Sequence, residues 1–374
     1  MSGTVPFTPK FDHLIYMRVF EGCDLRCQHC FIPANPRRLK DADVEHAADK
    51  VRTFAKPGDR ILVQWHGGEP TLLGAAWLRK AIETLETTGP EFEWIHGIQT
   101  NLLGYNGEWA QLYHDKFNGE VGVSWDAKIR LTRRDDPASF ADFENRFWPK
   151  MEQLLADGLH PYLVVTATKV LFQTFKNPVD FFSMLESRGI TRGHLERVTE
   201  TGEARKAWDT VGLSNAEYSR YMSRYARAYV LWNMQAAEQG RPHLSLSPFD
   251  GLLKSTDELR RGEAKGYGCW SGNCDTRFHT IDADGYKRGC TALTSEDGNS
   301  RATAKLALDK DNLVEERKLR RIVDCHACEF RKICSSGCMA ISMDDGSGEC
   351  AGGYSLFKAA TAIVSNENCG WKLG

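Results

Sequence analysis

The positions of the cysteines constrain this chain more than any other feature of its sequence. Three of the twelve lie close together near the start, at Cys23, Cys27 and Cys30. The other nine all follow residue 268, so residues 31–268 contain none. A long chain with no export signal, whose thiols stay reduced, uses so many cysteines for metal binding more readily than for disulfides. The distribution therefore predicts two metal-bearing regions around a cysteine-free scaffold.

Composition and charge exclude several classes of protein. Of the 374 residues, 48 are Lys or Arg and 50 are Asp or Glu, so no overall field attracts nucleic acid or anionic lipid. No run of 18 apolar residues exists, and the first residues lack the basic and apolar regions of a signal peptide. We therefore expect a globular, cytoplasmic protein with no membrane contact and no nucleic-acid partner.

The cysteine-free region alternates short β-rich runs with helical segments. Six runs are rich in β-branched and aromatic residues; they are residues 13–20, 60–65, 92–99, 120–125, 161–168 and 191–198. Helical periodicity marks the segments 41–56, 75–86, 107–117, 141–158 and 178–189. This alternation predicts βαβ units and a parallel sheet, and a partial or complete α/β barrel fits it best. A long helix is predicted over 215–239, and residues 278–290 predict a hairpin around an Asp-Gly turn.

The first group of cysteines, C-x3-C-x2-C, directly follows the first predicted strand. Three thiolates this close together can bind a zinc ion that takes a fourth ligand, or a [4Fe–4S] cluster with one iron left open. The spacing alone leaves three alternatives: such a cluster, a zinc knuckle completed by His29 or His66, and a redox pair formed by Cys27 and Cys30.

Three further motifs follow the first cysteine group and narrow the choice. They are His66-Gly67-Gly68-Glu69-Pro70 after the second strand, Gln99-Thr100-Asn101 after the third, and Ser124-Trp125-Asp126 at the fourth. His29 takes the position φ of C-x3-C-x-φ-C, which is aromatic in most members of one enzyme family. The motifs in this order resemble those of radical S-adenosylmethionine (SAM) enzymes.

The resemblance implies a partial (β/α)6 barrel, a [4Fe–4S] cluster on Cys23, Cys27 and Cys30, and SAM bound at the open iron. In this family one electron from the cluster cleaves SAM to methionine and a 5′-deoxyadenosyl radical, which abstracts hydrogen from a C–H bond. A flavodoxin- or ferredoxin-type protein is the implied electron donor. The residues expected to bind the cofactor are His29, Gly67, Gly68, Glu69, Gln99, Asn101 and Ser124. The glycines are expected to let the backbone approach the methionine end, and Glu69 to accept from its ammonium group.

The C-terminal cysteines resemble the SPASM extension of radical SAM enzymes, which carries two auxiliary [4Fe–4S] clusters. Taken in order, the resemblance assigns Cys269, Cys274, Cys290 and Cys338 to the first auxiliary cluster. It assigns Cys325, Cys328, Cys334 and Cys350 to the second. Half a zinc ribbon is the alternative, but a ribbon pairs two C-x2-C knuckles and this chain shows one. Cys369 is left over as a spectator.

The resemblance divides the chain into a barrel over residues 1–212, a helical bridge over 213–265 and a SPASM domain over 266–374. Family members with this extension mostly modify peptides or proteins, so the expected substrate is a peptide or protein. The leading expectation is a side-chain cross-link in a ribosomally made peptide. Only 22 residues precede Cys23, which leaves no room for the leader-binding domain of many peptide maturases. Either a separate protein binds the leader, or recognition needs none.

Other reactions remain alternatives: sulfatase-maturase-like dehydrogenation of a side chain, peptide epimerisation, and reactions on small-molecule or nucleotide-derived substrates. Sulfatase maturases carry an acidic residue directly after the cysteine that matches Cys290, and Thr291 in this position argues against the first of these. The candidate catalytic residues are Glu196 at the end of the sixth strand, Asp126 after the fourth, and Arg288 on the hairpin. Each also has an ordinary structural interpretation as an ion pair or a cap. A zinc-stabilised, non-catalytic binding module is the hypothesis from outside catalysis.

Overall fold

The computed structural model describes residues 10–32, 37–274, 276–294 and 318–366, and a nine-stranded sheet runs through this part of the chain. In chain order the strands are β1 (His13–Phe20), β2 (Arg60–Gly67), β3 (Glu93–Thr100), β4 (Glu120–Ser124), β5 (His160–Ala167), β6 (Arg192–Arg197), β7 (Ser245–Ser247), β8 (Phe278–Asp282) and β9 (Gly285–Arg288). The six predicted strands are thus all present, and the predicted hairpin is the pair β8 and β9.

Strands β1 to β7 follow one another across the sheet, and each pairs with the next in parallel. Parallel strands in chain order, linked by helices, are the arrangement of a partial α/β barrel, which confirms the predicted fold class. Strand β8 adds to the free side of β1 in parallel, and β9 pairs with β8 antiparallel. The sheet therefore crosses both of the predicted domain boundaries.

Helices connect the strands. Those whose two ends are both described are, in chain order, α1 (Asp41–Glu45), α2 (Ala47–Val51), α3 (Ala75–Thr88), α4 (Gly107–Lys116), α5 (Ser139–Ala156), α6 (Lys169–Thr174), α7 (Pro178–Ser187), α8 (Glu203–Lys206), α9 (Trp208–Val211), α10 (Asn215–Glu238), α11 (Phe249–Arg260), α12 (Thr291–Thr294) and α13 (Tyr354–Val364). The single helix predicted over 41–56 is wrong: the structure has two short helices, and the imidazole of His46 contacts the Ala42 carbonyl at 2.6 Å where the first one ends. In the part of the chain that the structure describes, no helix is long and apolar enough to cross a membrane.

Alternation along the strands separates an apolar face from a more polar one. In β5, Leu163 and Val165 are buried, whereas Tyr162 and Thr166 are half-buried. The buried residues belong to one continuous core with the apolar sides of the helices. The half-buried residues lie on the other face. Since the carboxyl ends of parallel strands meet at one edge, this face gathers polar side chains from several strands in one place.

A buried ion network joins the C-terminal hairpin to β1. Arg18 on β1 is fully buried and lies 2.6 Å from Glu21 and 3.4 Å from Asp282 on β8. Lys287 on β9 contacts the same Asp282 at 2.7 Å. A buried pair of this kind is expensive to leave incomplete, because the remaining charge has no water around it. The network therefore ties the start of the first cysteine loop to the hairpin that leads into Cys290.

We predict that Arg18→Met lowers the free energy of unfolding by about 3–5 kcal/mol, because Glu21 and Asp282 keep buried charges without this cation. Urea unfolding at neutral pH measures the effect. The matched control is Arg52→Met, since Arg52 pairs with Glu91 at the surface and is 41% exposed. The control is expected to unfold almost like the wild type. Equal stability of the Arg18 variant and the control would contradict the importance of the network.

Candidate active site

A cavity at the carboxyl edge of the sheet brings the first cysteine group together with the motif residues. The sequence-predicted residues on its wall are Cys23, Cys27, His29, Cys30, Gly67, Gly68, Glu69, Gln99, Asn101, Ser124 and Glu196. Ala292 of helix α12 also lines it, so the Cys-rich region closes part of the same cavity. The site is therefore built from both regions of the chain.

The first cysteine loop is held by backbone hydrogen bonds that join it to two other segments. The amides of Arg26 and Gln28 donate to the carbonyls of Leu131 and Ile129, at 2.7 and 3.1 Å. On the other side, the amide of Glu203 at the start of α8 donates to the carbonyl of Cys30 at 2.8 Å. The segments that follow β4 and β6 thus set the position of the cysteines.

The three thiols of this loop lie in poorly hydrated surroundings. Burial raises the pKa of Cys27 to about 12, with Arg130 opposing the rise and the Cys30 thiol adding to it. Burial and the neighbouring Cys27 thiol also raise the pKa of Cys23. Thiolates that repel one another in such a site are stabilised by a bound metal centre. This donor set therefore fits a metal or cluster that takes three cysteines.

Gly67 and Gly68 serve the packing of the cysteine loop as well as the cavity. Gly67 has a φ of +149°, and a Cβ there would collide with the carbonyl of Phe20. A Cβ on Gly68 would collide with the carbonyl of Gly22, and the Gly68 amide donates to the Phe20 carbonyl at 2.7 Å. The expected role of the glycines beside the methionine end of SAM stays a prediction. Their missing side chains admit the end of β1 and the start of the cysteine loop.

Glu69 organises the turns that follow β2 and β3. It is 1% exposed, and its Oε1 accepts from the Thr71 amide and from the hydroxyls of Thr71 and Thr100, at 3.0, 2.6 and 2.7 Å. Its Oε2 accepts from the Asn101 amide at 2.7 Å. Burial raises the pKa of Glu69, and these hydrogen bonds oppose the rise. One acceptor position remains on Oε2 for a ligand on the cavity side.

Asp126 is buried behind the cavity wall and is not among the described residues that line the cavity. Its Oδ2 is 3.1 Å from Nε2 of His29 and 2.7 Å from the Arg130 guanidinium, and its Oδ1 accepts from the Thr166 amide at 2.6 Å. Burial alone would raise its pKa, but the charges of His29 and Arg130 lower the pKa of Asp126 to about 2. Asp126 thus orients two residues of the cavity wall, His29 and Arg130.

Sequence reasoning missed Arg130 and Thr166 as residues of the cavity wall. Arg130 comes four residues after Asp126, but that spacing signals an ion pair only on a helix, and residues 125–130 are not helical. Thr166 gave no signal either, because a threonine in a strand is ordinary.

Two imidazole nitrogens provide a test of whether a ligand fits here. Nδ1 of His29 and Nδ1 of His66 are buried and have no hydrogen-bond partner among the described residues. Both histidines line the cavity. Buried polar atoms without partners are rare in folded proteins unless a ligand or water meets them. A ligand with hydrogen-bonding edges, such as the nucleoside of SAM, fits these two positions.

The remaining predicted residues have three different environments. Glu196 on β6 lines the cavity. Desolvation, followed by the charges of Cys338 and Asp126, raises the pKa of Glu196 to about 7. Gln99 donates to Ser124 at 2.6 Å, so these two are paired with each other. Arg288 is exposed on β9 and lies outside the described wall of the cavity.

The C-terminal cysteines form two groups in space. Cys269 and Cys338 are one hydrogen-bonded pair of thiols, Cys274 and Cys290 are a second, and the two pairs raise each other's pKa values. The other group contains Cys325, Cys328, Cys334 and Cys350, whose charges also interact. Members of each predicted set are thus neighbours that interact, and their assignment to clusters stays a prediction. Among the described residues, no group of three or more His, Cys, Asp or Glu has the arrangement for a single metal ion. Cys369 lies outside the described residues.

Comparisons with known proteins add to this geometry. Residues 17–127 match the family model described as the radical SAM superfamily. The chain is 22% identical over 369 residues to the serine-type anaerobic sulfatase-maturating enzyme of Klebsiella aerogenes, and the match covers 94% of this chain and 85% of that protein.

Two solved structures have similar folds. One is native anSMEcpe with bound AdoMet and Cp18Cys peptide, at a TM-score of 0.67 and 17% identity, covering 95% of this chain and 97% of that one. The other is Streptococcus suis SuiB bound to the precursor peptide SuiA, at a TM-score of 0.55 and 16% identity, covering 88% and 72%.

We predict that Asp126→Asn weakens SAM binding about tenfold, because a neutral amide no longer balances Arg130 or fixes the His29 ring. Equilibrium binding of SAM to the anaerobically reconstituted protein measures this. Asp142→Asn is the control, since Asp142 pairs with Arg133 at the surface. Wild-type affinity is expected in the control. The same affinity in the Asp126 variant would refute the positioning role.

Proposed function

Because residues 17–127 form a radical SAM domain, we propose that this enzyme removes hydrogen from a side chain of a peptide or protein substrate. The observation that supports this most is the cavity wall on which Cys23, Cys27 and Cys30 meet the Gly67–Glu69 turn and Asn101. The substrate class is supported by the relatives, which include a sulfatase-maturating enzyme and two structures with bound peptides.

We infer three [4Fe–4S] clusters, one on each of the three cysteine groups, with SAM beside the first group. The proposed division of the chain into barrel, bridge and SPASM domain accompanies this assignment. When bound, these groups supply the 5′-deoxyadenosyl radical and take up the electron that the substrate radical loses.

The side chains of the cavity have roles in holding SAM. Arg130 places a positive charge beside Cys27, where it can pair with the carboxylate of SAM. The free acceptor position of Glu69 suits the ammonium group, and Nδ1 of His29 and of His66 suit the nucleoside. Gln99 and Ser124, already paired with each other, offer their remaining groups to the ribose.

Glu196 is our candidate for the proton acceptor. The described cavity wall has two carboxylates, and Glu69 already accepts four hydrogen bonds whereas Glu196 opens onto the cavity. Thr291 stands where sulfatase maturases carry an acidic residue, so we assign the role of proton acceptor to Glu196 on β6 instead. Loss of two hydrogen atoms from the substrate would balance as one hydrogen atom taken by the radical that bound SAM would supply, one proton that Glu196 would accept, and one electron that a bound auxiliary cluster would take up.

Two products follow from the same abstraction. Oxidation of a Ser or Cys side chain to an aldehyde is favoured by the match to a sulfatase-maturating enzyme over nearly the whole chain. A side-chain cross-link in a ribosomally made peptide is favoured by Thr291, which departs from the maturase pattern. A reaction with a Ser-containing sulfatase peptide separates them, since a hydrazide probe labels an aldehyde and leaves a cross-link unlabelled.

We predict that the anaerobically reconstituted protein holds about 12 iron atoms, four for each cluster, and releases 5′-deoxyadenosine from SAM with dithionite. Replacing Cys23, Cys27 and Cys30 by Ala should remove about a third of the iron and all SAM cleavage. Cys369→Ala is the control and should keep both. Stoichiometric zinc without iron, or SAM cleavage by the triple variant, would overturn the assignment.

We predict that Glu196→Gln keeps SAM binding and cleavage but lowers formation of the oxidised peptide about 100-fold or more, because no group accepts the proton. Mass spectrometry of the peptide, whose mass falls by two hydrogen atoms, gives product per 5′-deoxyadenosine. Glu200→Gln is a matched control, because Glu200 follows the same strand but does not line this cavity. An unchanged ratio in Glu196→Gln would exclude Glu196 as the base.

A further inference from the structure

The short segment around Cys350 is held by side chains from three distant parts of the chain. Nδ2 of Asn215 donates to the Glu349 carbonyl at 3.0 Å, and Nη1 of Arg197 donates to the Ala351 carbonyl at 3.1 Å. Nε1 of Trp270 donates to the Gly352 carbonyl at 2.9 Å. The carbonyl of Cys350 itself accepts from the Gly353 amide at 3.0 Å. Every carbonyl of residues 349–352 thus has a partner.

The two donors on the barrel side are themselves fixed. Asn215, the first residue of α10, is 1% exposed, and its Oδ1 accepts from Nη2 of Arg197 at 2.6 Å. Its amide group also donates to the Ser342 carbonyl at 3.2 Å, and its backbone amide donates to Asp345 at 2.6 Å. The Arg197 guanidinium lies over the Tyr218 ring, 4.3 Å from its centre. Neither side chain can turn away without breaking several contacts.

The packing around the same segment leaves no room for adjustment. A Cβ on Gly352 would lie 2.7 Å from the sulfur of Cys334, and a Cβ on Gly337 would collide with the Ala351 carbonyl. Trp270 directly follows Cys269 of the first auxiliary set, and Arg197 lines the active-site cavity. The segment therefore lies where the cavity and the two auxiliary sets meet.

Cys350 differs from the other cysteines of its set in how it reaches the site. Cys325, Cys328 and Cys334 are close in sequence, so one short loop places all three. Cys350 comes later in the chain and needs tertiary contacts to hold its backbone, because an irregular segment has no helix or sheet ladder of its own.

We propose that Asn215 and Arg197 are positioning residues for Cys350, and that they fix this ligand of the second auxiliary cluster against the barrel. The proposal rests on the assignment of that cluster under the proposed function. Asn215 holds the carbonyl on one side of Cys350, Arg197 holds the carbonyl on the other, and the hydrogen bond between the two side chains couples them. Since Arg197 also lines the cavity, one side chain sets the position of the cluster ligand and of the substrate wall together.

The test compares reconstituted full-length Asn215→Ala with the wild type in iron content and in the electron paramagnetic resonance spectrum of the reduced protein. The expected result is loss of about a third of the iron and of the signal of one cluster. SAM binding and SAM cleavage should stay within about twofold of the wild type, since Asn215 is not on the wall of the described cavity. Asn106→Ala is the matched control. Asn106 also lies at the start of a helix, where it accepts from the Glu108 and Trp109 amides, and its replacement should leave the iron content unchanged.

Two results would overturn the proposal. One is a full iron content with all cluster signals present in Asn215→Ala. The other is equal loss of all clusters together with SAM cleavage, which would show a general role in folding. If Asn215→Ala is insoluble, Arg197→Lys decides, because it keeps the charge but lacks the planar fork whose two nitrogens donate to Ala351 and Asn215. The wild type is measured first, so a protein that holds only one cluster refutes the proposed function rather than this inference.

Discussion

The pairing of β8 with β1 is the interaction on which the rest of the structure depends. Leu14 to Met17 of β1 lie opposite Phe278 to Ile281 of β8, on the side of β1 that β2 does not occupy. The first cysteine loop begins just after β1, and Cys290 follows the hairpin that β8 begins. One strand therefore joins both cysteine regions: the first loop leaves the carboxyl end of β1, and the hairpin beside β1 runs back toward its start before Cys290. The buried Arg18 on β1 contacts Glu21, just before the first cysteine loop, and Asp282 at the end of β8.

Sequence reasoning recovered what is local. Alternation and periodicity gave the six barrel strands, because a half-buried strand and an amphipathic helix each repeat at a fixed period. The pairing of β8 with β1 was beyond it, since a parallel register between segments far apart in the chain leaves no periodic trace in either one. The interrupted helix after residue 40 was missed for the opposite reason. There the imidazole of His46 contacts the Ala42 carbonyl where the first helix ends, and a periodic pattern does not register such a side-chain contact.

Asp126 and Glu196 show how far the site was predictable. Both were chosen because they stand at or after the carboxyl end of a barrel strand. The structure surrounds Asp126 with His29, Arg130 and the Thr166 amide, and it leaves Glu196 open to the cavity. The sequence positions of the two acids are alike, and only the neighbours that the fold supplies separate a positioning residue from a candidate base. Nothing in a single sequence reports those neighbours.

The shared sheet also bears on how the proposed clusters would assemble. The first loop donates hydrogen bonds to the segment after β4 and accepts one from the segment after β6, and Arg197 at the end of β6 donates to the carbonyl of Ala351, next to Cys350. The first cysteine loop and the segment of Cys350 therefore take their positions from the barrel rather than from local sequence alone. Ligands that are already in place lose little conformational entropy when a metal binds, whereas ligands in a disordered loop lose much. If the barrel folds before the clusters are inserted, its cysteines are already in place and bind a cluster more tightly than thiols in a disordered chain would. The free energy of unfolding would then rise as each cluster is inserted.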